Sequence, residues 1–266
     1  MSRFFDGIDD DITFTSGIDP NSGAFSACLW IYVQSFSNLD VDNDSSIILQ
    51  QKDGTGTGRA WMFIRRFVGP VYNLMSFIGA VNVIGTTDWN NFVGSWHHVA
   101  VTVSGGGASS TLKLWIDGVL EATDSTIDPE ACNGDHILGK HKAPSGANEE
   151  FNGSMAQVHI YGRELSKDEI KQASIFPGSI QNSLKSFLML WGTASPEFDY
   201  SGNGTHGTVS GATRGTTEPP VSGMYRIKRS KTYYTSFLPP TISKVNVTSG
   251  NKVSMSPSNK IILGVG

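Results

Sequence analysis

The sequence is short of charge, of cysteine and of helical pattern, and each shortage removes a class of protein. Only 17% of its 266 residues are charged, with a net charge of −4 and a pI near 5.8. That leaves no basic field to hold nucleic acid or an anionic membrane. The two cysteines, Cys28 and Cys132, form neither a CxxC metal pair nor a dense disulfide framework. They read as buried thiols, and a single disulfide between them stays open, because spacing does not tell whether their Cα atoms approach. The most apolar stretch, 67–85, is interrupted by Pro70, Asn73 and Asn82, so no membrane span is expected. The opening seven residues (MSRFFDG) lack the continuous apolar run of a secretory leader, which gives the expectation that the chain as given stays inside the cell that makes it.

What is present suits β-structure. Thirty glycines and a spread of Trp, Phe and Tyr fit many turns between strands better than a helical bundle. Short alternating runs separated by Gly, Asn, Asp and Ser recur up to about Tyr161. In Phe25–Val33 (FSACLWIYV), Ala27, Leu29, Ile31 and Val33 fall on one face and Cys28, Trp30 and Tyr32 on the other. Both faces are apolar, as an inner strand of a two-layer sandwich requires. Trp96–Val103 and the run from Thr111 to Ala122 form the clearest unit. Asp117-Gly118 divides the second run, and that dipeptide tolerates the positive φ of a two-residue hairpin turn. The Gly105–Ser110 loop leads into a strand rather than a helix, so it is no phosphate cradle. Ser166-Lys-Asp-Glu169 is a capping box that starts a short helix through about Ala173. A further strand is expected at Phe187–Trp191. Pro219-Pro220 then closes the compact domain, 1–220, and 221–266 reads as an extended C-terminal arm with Arg226, Lys228, Arg229 and Lys231 close together.

These segments resemble, in order, the laminin-G-like, concanavalin A-like lectin/glucanase family over roughly the first four-fifths of the chain. Phe5–Asp10 (FDGIDD) is similar to the family's opening motif, Phe25–Val33 to its Trp-centred strand, Gly94–Thr102 (GSWHHVAVT) to its G-x-W-H-H strand, and Leu112–Val119 (LKLWIDGV) to its D-G hairpin. Phe151–Ser166 resembles the closing signature, and the stretch from Leu190 to Gly207 a flanking D-x-S-G-N-G segment. The resemblance implies an all-β, two-sheet antiparallel jelly-roll sandwich with one short helix, whose relatives bind carbohydrate or protein surfaces, some through calcium. Where the closing signature carries Asp-Glu this chain has Ala156-Gln157, which removes two hard oxygen ligands. Asp6, Asp9, Asp10 and Asp11 could supply others, although an acidic cluster at a strand start is more often a solvated turn. No metal or cofactor is therefore assigned.

The residues also argue against catalysis. Glycoside hydrolysis on this fold needs paired carboxylates, and the nearest approach, Glu197 and Asp199, reads as a turn ahead of Ser-Gly-Asn-Gly. His97 and His98 are strand neighbours that project to opposite faces, so one is expected inside and one outside. His136, His141, His159 and His206 show no metalloprotease spacing, and no G-x-S-x-G elbow is present. Trp61, Trp89, Trp115 and Tyr72 could stack on sugars, with core packing the commoner role for such residues. No catalytic, cofactor or metal residue is assigned. The expectation is a non-enzymatic structural protein of a bacteriophage particle, of capsid-decoration or fibre type, made in host cytoplasm and carrying a lectin-like domain. Its partners would be virion subunits or its own copies through the arm, and surface glycans, with no nucleic acid and no membrane insertion. The alternatives are a free extracellular lectin and, further off, a glycoside hydrolase.

Overall fold

The structure, a computed structural model, describes residues 1–39, 41–52, 58–67, 69–78, 82–141, 149–220, 225–229, 232–236, 251–255 and 261–265. Alternating polarity becomes a series of strands: β1 (Arg3–Asp6), β2 (Asp11–Phe14), β3 (Phe25–Val33), β4 (Ser45–Lys52), β5 (Gly58–Arg66), β6 (Tyr72–Phe77), β7 (Asn82–Ile84), β8 (Trp96–Val103), β9 (Ser110–Ile116), β10 (Val119–Ile127), β11 (Asp135–Leu138) and β12 (Asn152–Tyr161). The helix α1 (Lys167–Ile175) follows, then β13 (Leu184–Leu188), β14 (Thr208–Ser210) and β15 (Thr213–Arg214). One sheet of eight strands runs β10-β9-β8-β3-β12-β1-β15, with β13 added beside β12, and a second of seven runs β14-β2-β11-β4-β5-β6-β7. The paired strands are antiparallel, giving the two-sheet jelly-roll sandwich expected from the sequence.

The core lies between the sheets because each inner strand turns one apolar row inward. From β3 come Phe25, Ala27, Leu29, Ile31 and Val33, and from β8 Val99, Val101 and Val103. Trp61 and Trp89, both almost fully buried, fill the facing space. Phe25 and Trp61 pack with ring centroids 4.6 Å apart. The second apolar row of β3 is covered too, by α1 and the segment after it. Cys28 and Ala100 meet Trp115, Tyr161, Leu165, Ile170, Ala173, Ile180, Leu184 and Phe187 in a separate cluster. Cys28 and Cys132 are both buried thiols, not joined to each other in a disulfide.

Local signals act where expected. Asp117 (φ 52°) and Gly118 (φ 73°) carry the two successive positive φ values of a hairpin turn. Both arms of the capping box form between Ser166 and Glu169, and α1 runs to Ile175, two residues past the expected end. One expectation needs correction. The strand foreseen at 187–191 is set earlier, because Leu190 adopts φ 56° and cannot continue a strand. In the C-terminal arm, where described, β16 (Tyr225–Arg229) pairs with β17 (Thr232–Ser236), and β18 (Asn251–Met255) with β19 (Ile261–Val265). Runs rich in β-branched and aromatic residues facing each other across short connections favour such pairing. Lys231 of the basic run lies outside the described residues.

Candidate functional site

The outer face of the seven-stranded sheet holds the candidate site. Strands β4, β5 and β6 are apolar on both faces, so one row faces the core and the other faces out. The outward row can be followed across the register, Ile47 opposite Phe63, Phe63 opposite Met75 and Met75 opposite Ile84. Ile47, Phe63 and Met75 form a cluster separate from the inter-sheet core, with Phe67 and Phe77 packed against it. In the neighbouring row Ser45 lies opposite Arg65, and Arg65 opposite Asn73.

These rows floor a groove of about 290 Å³. Ile47, Phe63 and Phe77 give its apolar base, and Ser45, Arg65, Asn82, His141 and Glu149 its polar rim. The rim is held in place by its own bonds. Arg65 Nη2 donates to Asn43 Oδ1 at 2.8 Å, and His141 Nδ1 lies 3.0 Å from Glu149 Oε2. An apolar base with a few fixed hydrogen-bonding groups suits a small amphipathic ring, its C–H face below and its hydroxyls at the rim. Glu149 is the one carboxylate among the described lining residues, whereas glycoside hydrolysis uses a pair.

None of these groove residues except His141 stands out in the sequence. The available signal was double-sided apolar character in β4 and β5 with no helix to cover the outer side. The residues that do stand out are placed elsewhere. Trp61, Trp89 and Tyr72 are buried in the core, and Trp115 beneath α1. Glu197 is buried in an ion pair with Arg3 at 3.0 Å, and it accepts hydrogen bonds from the Trp191 and Gly192 amides. Asp199 accepts from the Phe187, Ser201 and Thr205 amides. Burial pushes its carboxyl up, and these bonds more than offset that and hold it below the usual range. Both acids are thus committed to holding the segment after β13.

His97 and His98 do diverge. His98 is fully buried against Trp30, and burial pushes its ring down to about 4 despite the Asp117 charge. His97 stacks on Phe92 at 3.8 Å and is only partly covered. Its Nε2 lies 2.9 Å from Ser95 Oγ and its Nδ1 2.7 Å from Asp117 Oδ2. This Ser-His-Asp line was invisible in the sequence, but it lacks the rest of a nucleophile site. Ser95 Oγ donates to the Phe92 carbonyl at 2.8 Å, and the Gly94 and Ser95 amides donate to Val33 and Phe92, so no adjacent donor is left for an oxyanion. It clamps the hairpin turn onto the start of β8. Asp117, raised by burial, is held below the usual range by its bonds from His97 and the His98 amide.

The acidic turn after β1 does draw together. Oxygens of Asp6, Asp9 and Asp10 lie within 4.8 Å of one another. Burial first, then the charges of Asp6, Asp9 and Asp11, push Asp10 up against a bond from the Asp6 amide. Asp11 instead meets Lys140 Nζ at 3.3 Å, and the same ammonium donates to the Asp9 carbonyl. The three carboxylates are hard donors of the kind calcium takes, but fall short of the six to eight oxygens it usually gathers. Ala156 and Gln157, where two such ligands are lacking, sit buried at a bulge between β12 and β3.

Two antiparallel sheets, one covered by a helix and one carrying a groove beside a second apolar cluster, define a lectin-like jelly roll. The sequence profile of the concanavalin A-like lectin/glucanase superfamily matches residues 6–171, and the chain belongs to that family. Among solved structures, the chain is similar to a proposed carbohydrate-binding protein from Bacteroides ovatus, with a TM-score of 0.59 and 16% identity over 83% of this chain and 61% of that one. The chain thus spans about three fifths of that relative's length. It is also similar to a heptameric SAP-like pentraxin from Limulus polyphemus, with a TM-score of 0.48 and 12% identity over 65% of this chain and 80% of that one. A third is domain 4 of a GH43 extracellular arabinanase from Geobacillus stearothermophilus in complex with arabinotriose, with a TM-score of 0.45 and 18% identity over 64% of this chain and 75% of that one. No curated protein matches the sequence.

Proposed function

We propose that the chain is a non-enzymatic carbohydrate-binding protein whose glycan lies in the groove of the seven-stranded sheet. The observation that carries this is the groove itself, with Ile47, Phe63 and partly exposed Phe77 at its base and Arg65, Asn82 and His141 at its rim. Apolar floor beside fixed polar rim is what a sugar ring, with one C–H face and a belt of hydroxyls, fits. The description of the Bacteroides ovatus protein agrees with it. The test is a glycan array on the full chain, followed by calorimetry of any hit with Phe77→Ala and Asn82→Ala. Both variants should keep the far-ultraviolet circular dichroism of the parent and lose at least about tenfold in affinity, about 1.4 kcal/mol. Unchanged affinity in both would sink the groove as the site.

The setting we propose is a bacteriophage particle, with this chain as a capsid-decoration or fibre subunit that displays its lectin-like domain. The supporting observation is beyond Pro220, where two hairpins pair only within themselves among the described residues. An isolated two-stranded hairpin is marginal in water and gains stability by joining another sheet or chain. Such an arm suits a subunit that holds a neighbour. If the full chain stays monomeric at high concentration, the free-lectin reading replaces this one.

A further inference from the structure

The arm and the jelly roll carry opposite charge. Residues 1–220 hold all 24 acidic residues and 13 of the 20 basic ones, a net charge of −11. Residues 221–266 hold the other seven, Arg226, Lys228, Arg229, Lys231, Lys244, Lys252 and Lys260, with no acid. A near-neutral total hides this division.

The negative charge is uneven as well. From Asp117 to Gly139 the chain has Asp117, Glu121, Asp124, Asp128, Glu130 and Asp135 and no Lys or Arg. This stretch contains β10, which ends the eight-stranded sheet and, among the described residues, is hydrogen-bonded to a strand, β9, on one side only. At nine residues it is long for an edge, and Val119 and Leu120 stand 62% and 45% exposed on it. Glu121 is engaged, accepting from the amides of Thr86 and Thr87, and further on the Thr126 amide donates to Asp124 Oδ1 where the ladder shifts register between Asp124 and Ile127, so the open length of the edge is short, over Thr123–Ser125. Glu121 and Asp124 on the strand, with Asp128 and Glu130 just beyond it, give this end of the sheet a negative charge that disfavours pairing of two such edges and suits a basic strand.

We infer that β16 of one copy adds to the β10 edge of a second copy, extending its eight-stranded sheet. Three of the five residues of β16 are Arg or Lys, and its register with β17 leaves its other edge without a strand partner among the described residues. Added strands gain main-chain hydrogen bonds, and the charges set partner and direction. A second copy supplies both halves at equal number, and each copy keeps one arm and one edge, so the contact is head-to-tail and builds a ring or a chain. This inference rests on the reading of the arm as an assembly segment.

The test uses full chains and light scattering at low and molar sodium chloride, with hydrogen exchange on β10. The parent should self-associate at low salt, come apart at high salt, and gain amide protection over Thr123–Ser125 on association beyond what the β9 ladder gives. Asp124→Lys/Asp128→Lys and, separately, Arg226→Glu/Lys228→Glu/Arg229→Glu should each be monomeric. Mixed together they should associate again, at or above twice the mass of one chain. A parent monomeric at every concentration removes the assembly reading itself. A parent that associates while either variant does too, or variants that fail to rescue each other, overturns the β10 docking and leaves the assembly reading intact. Circular dichroism and glycan binding should match the parent in both variants, since neither touches the groove.

Discussion

The two outer faces of the sandwich begin alike and end differently. Each sheet has inner strands that are apolar on both sides, so each presents a second greasy row away from the core. On the eight-stranded sheet the chain itself covers that row, laying α1 over Cys28, Trp115 and Tyr161. On the seven-stranded sheet Ile47, Phe63 and Met75 are buried as well, but partly exposed Phe67 and Phe77 pack against them and a polar rim borders a groove there. A row sealed by a helix makes stability, and a groove with an apolar base and fixed polar groups makes a binding surface. The same sequence pattern therefore serves two ends, decided by whether a later segment returns.

Acid should weaken the covered side and the core through their buried histidines. His98 and His159 are buried on that side and His136 in the core, and burial pushes their rings down to about 4, 3 and 3. The unfolded chain binds these protons near the ordinary imidazole value, so the stabilisation is whole above about pH 6.5 and is lost as pH falls towards the folded values. Each ring costs about 1.4 kcal/mol per pH unit in that window. Urea midpoints taken from neutral pH to about pH 4.5 should fall with a slope of up to three protons; a flat profile would mean that the rings are solvated.

Single substitutions sharpen the contrast. Glu197→Ala leaves Arg3 as a buried charge without its carboxylate and frees the segment that closes over the eight-stranded sheet. The expected loss is about 3–5 kcal/mol in urea unfolding. Phe187→Ala, which removes a ring stacked 4.2 Å from His159, should cost about 3–5 kcal/mol. Phe77→Ala at the groove should cost less, about 1–2 kcal/mol, because its ring is only partly buried, while abolishing most glycan binding. Equal losses for Phe77 and Phe187 would erase the distinction between the faces.

How much of this was legible depended on whether the signal was local. The D-G turn at Asp117-Gly118, the capping box at Ser166 and the two-faced β3 each lie within a few residues, and their physical requirements appear directly in the string. The strand after the helix was placed too late because a positive φ at Leu190 is not encoded by residue type. The groove was not legible at all, since Ile47, Phe63 and Met75 become neighbours only through the register of three strands. Arg3 and Glu197, near opposite ends of the fold, form a pair that no spacing rule would propose. The acidic turn was legible as composition, yet its division, with Asp11 turned to Lys140, was not.

The smallest expected effect concerns the Ser95-His97-Asp117 line. Were it a nucleophile site, Ser95→Ala would remove hydrolysis of an activated ester and leave stability alone. The geometry points the other way: the Ser95 hydroxyl proton goes to the Phe92 carbonyl, and the neighbouring amides are occupied. Ser95→Ala should therefore cost about 0.5–1.5 kcal/mol of stability, the usual worth of one hydrogen bond. It should leave the slow hydrolysis of p-nitrophenyl acetate, an imidazole background, unchanged. Loss of ester hydrolysis with stability intact would make the clamp a catalyst and reopen the non-enzymatic reading. Asp117→Asn tests the same point from the other end. An amide there can still accept from the His98 amide but offers no charge to His97, so an effect confined to stability would keep all three residues in the clamp.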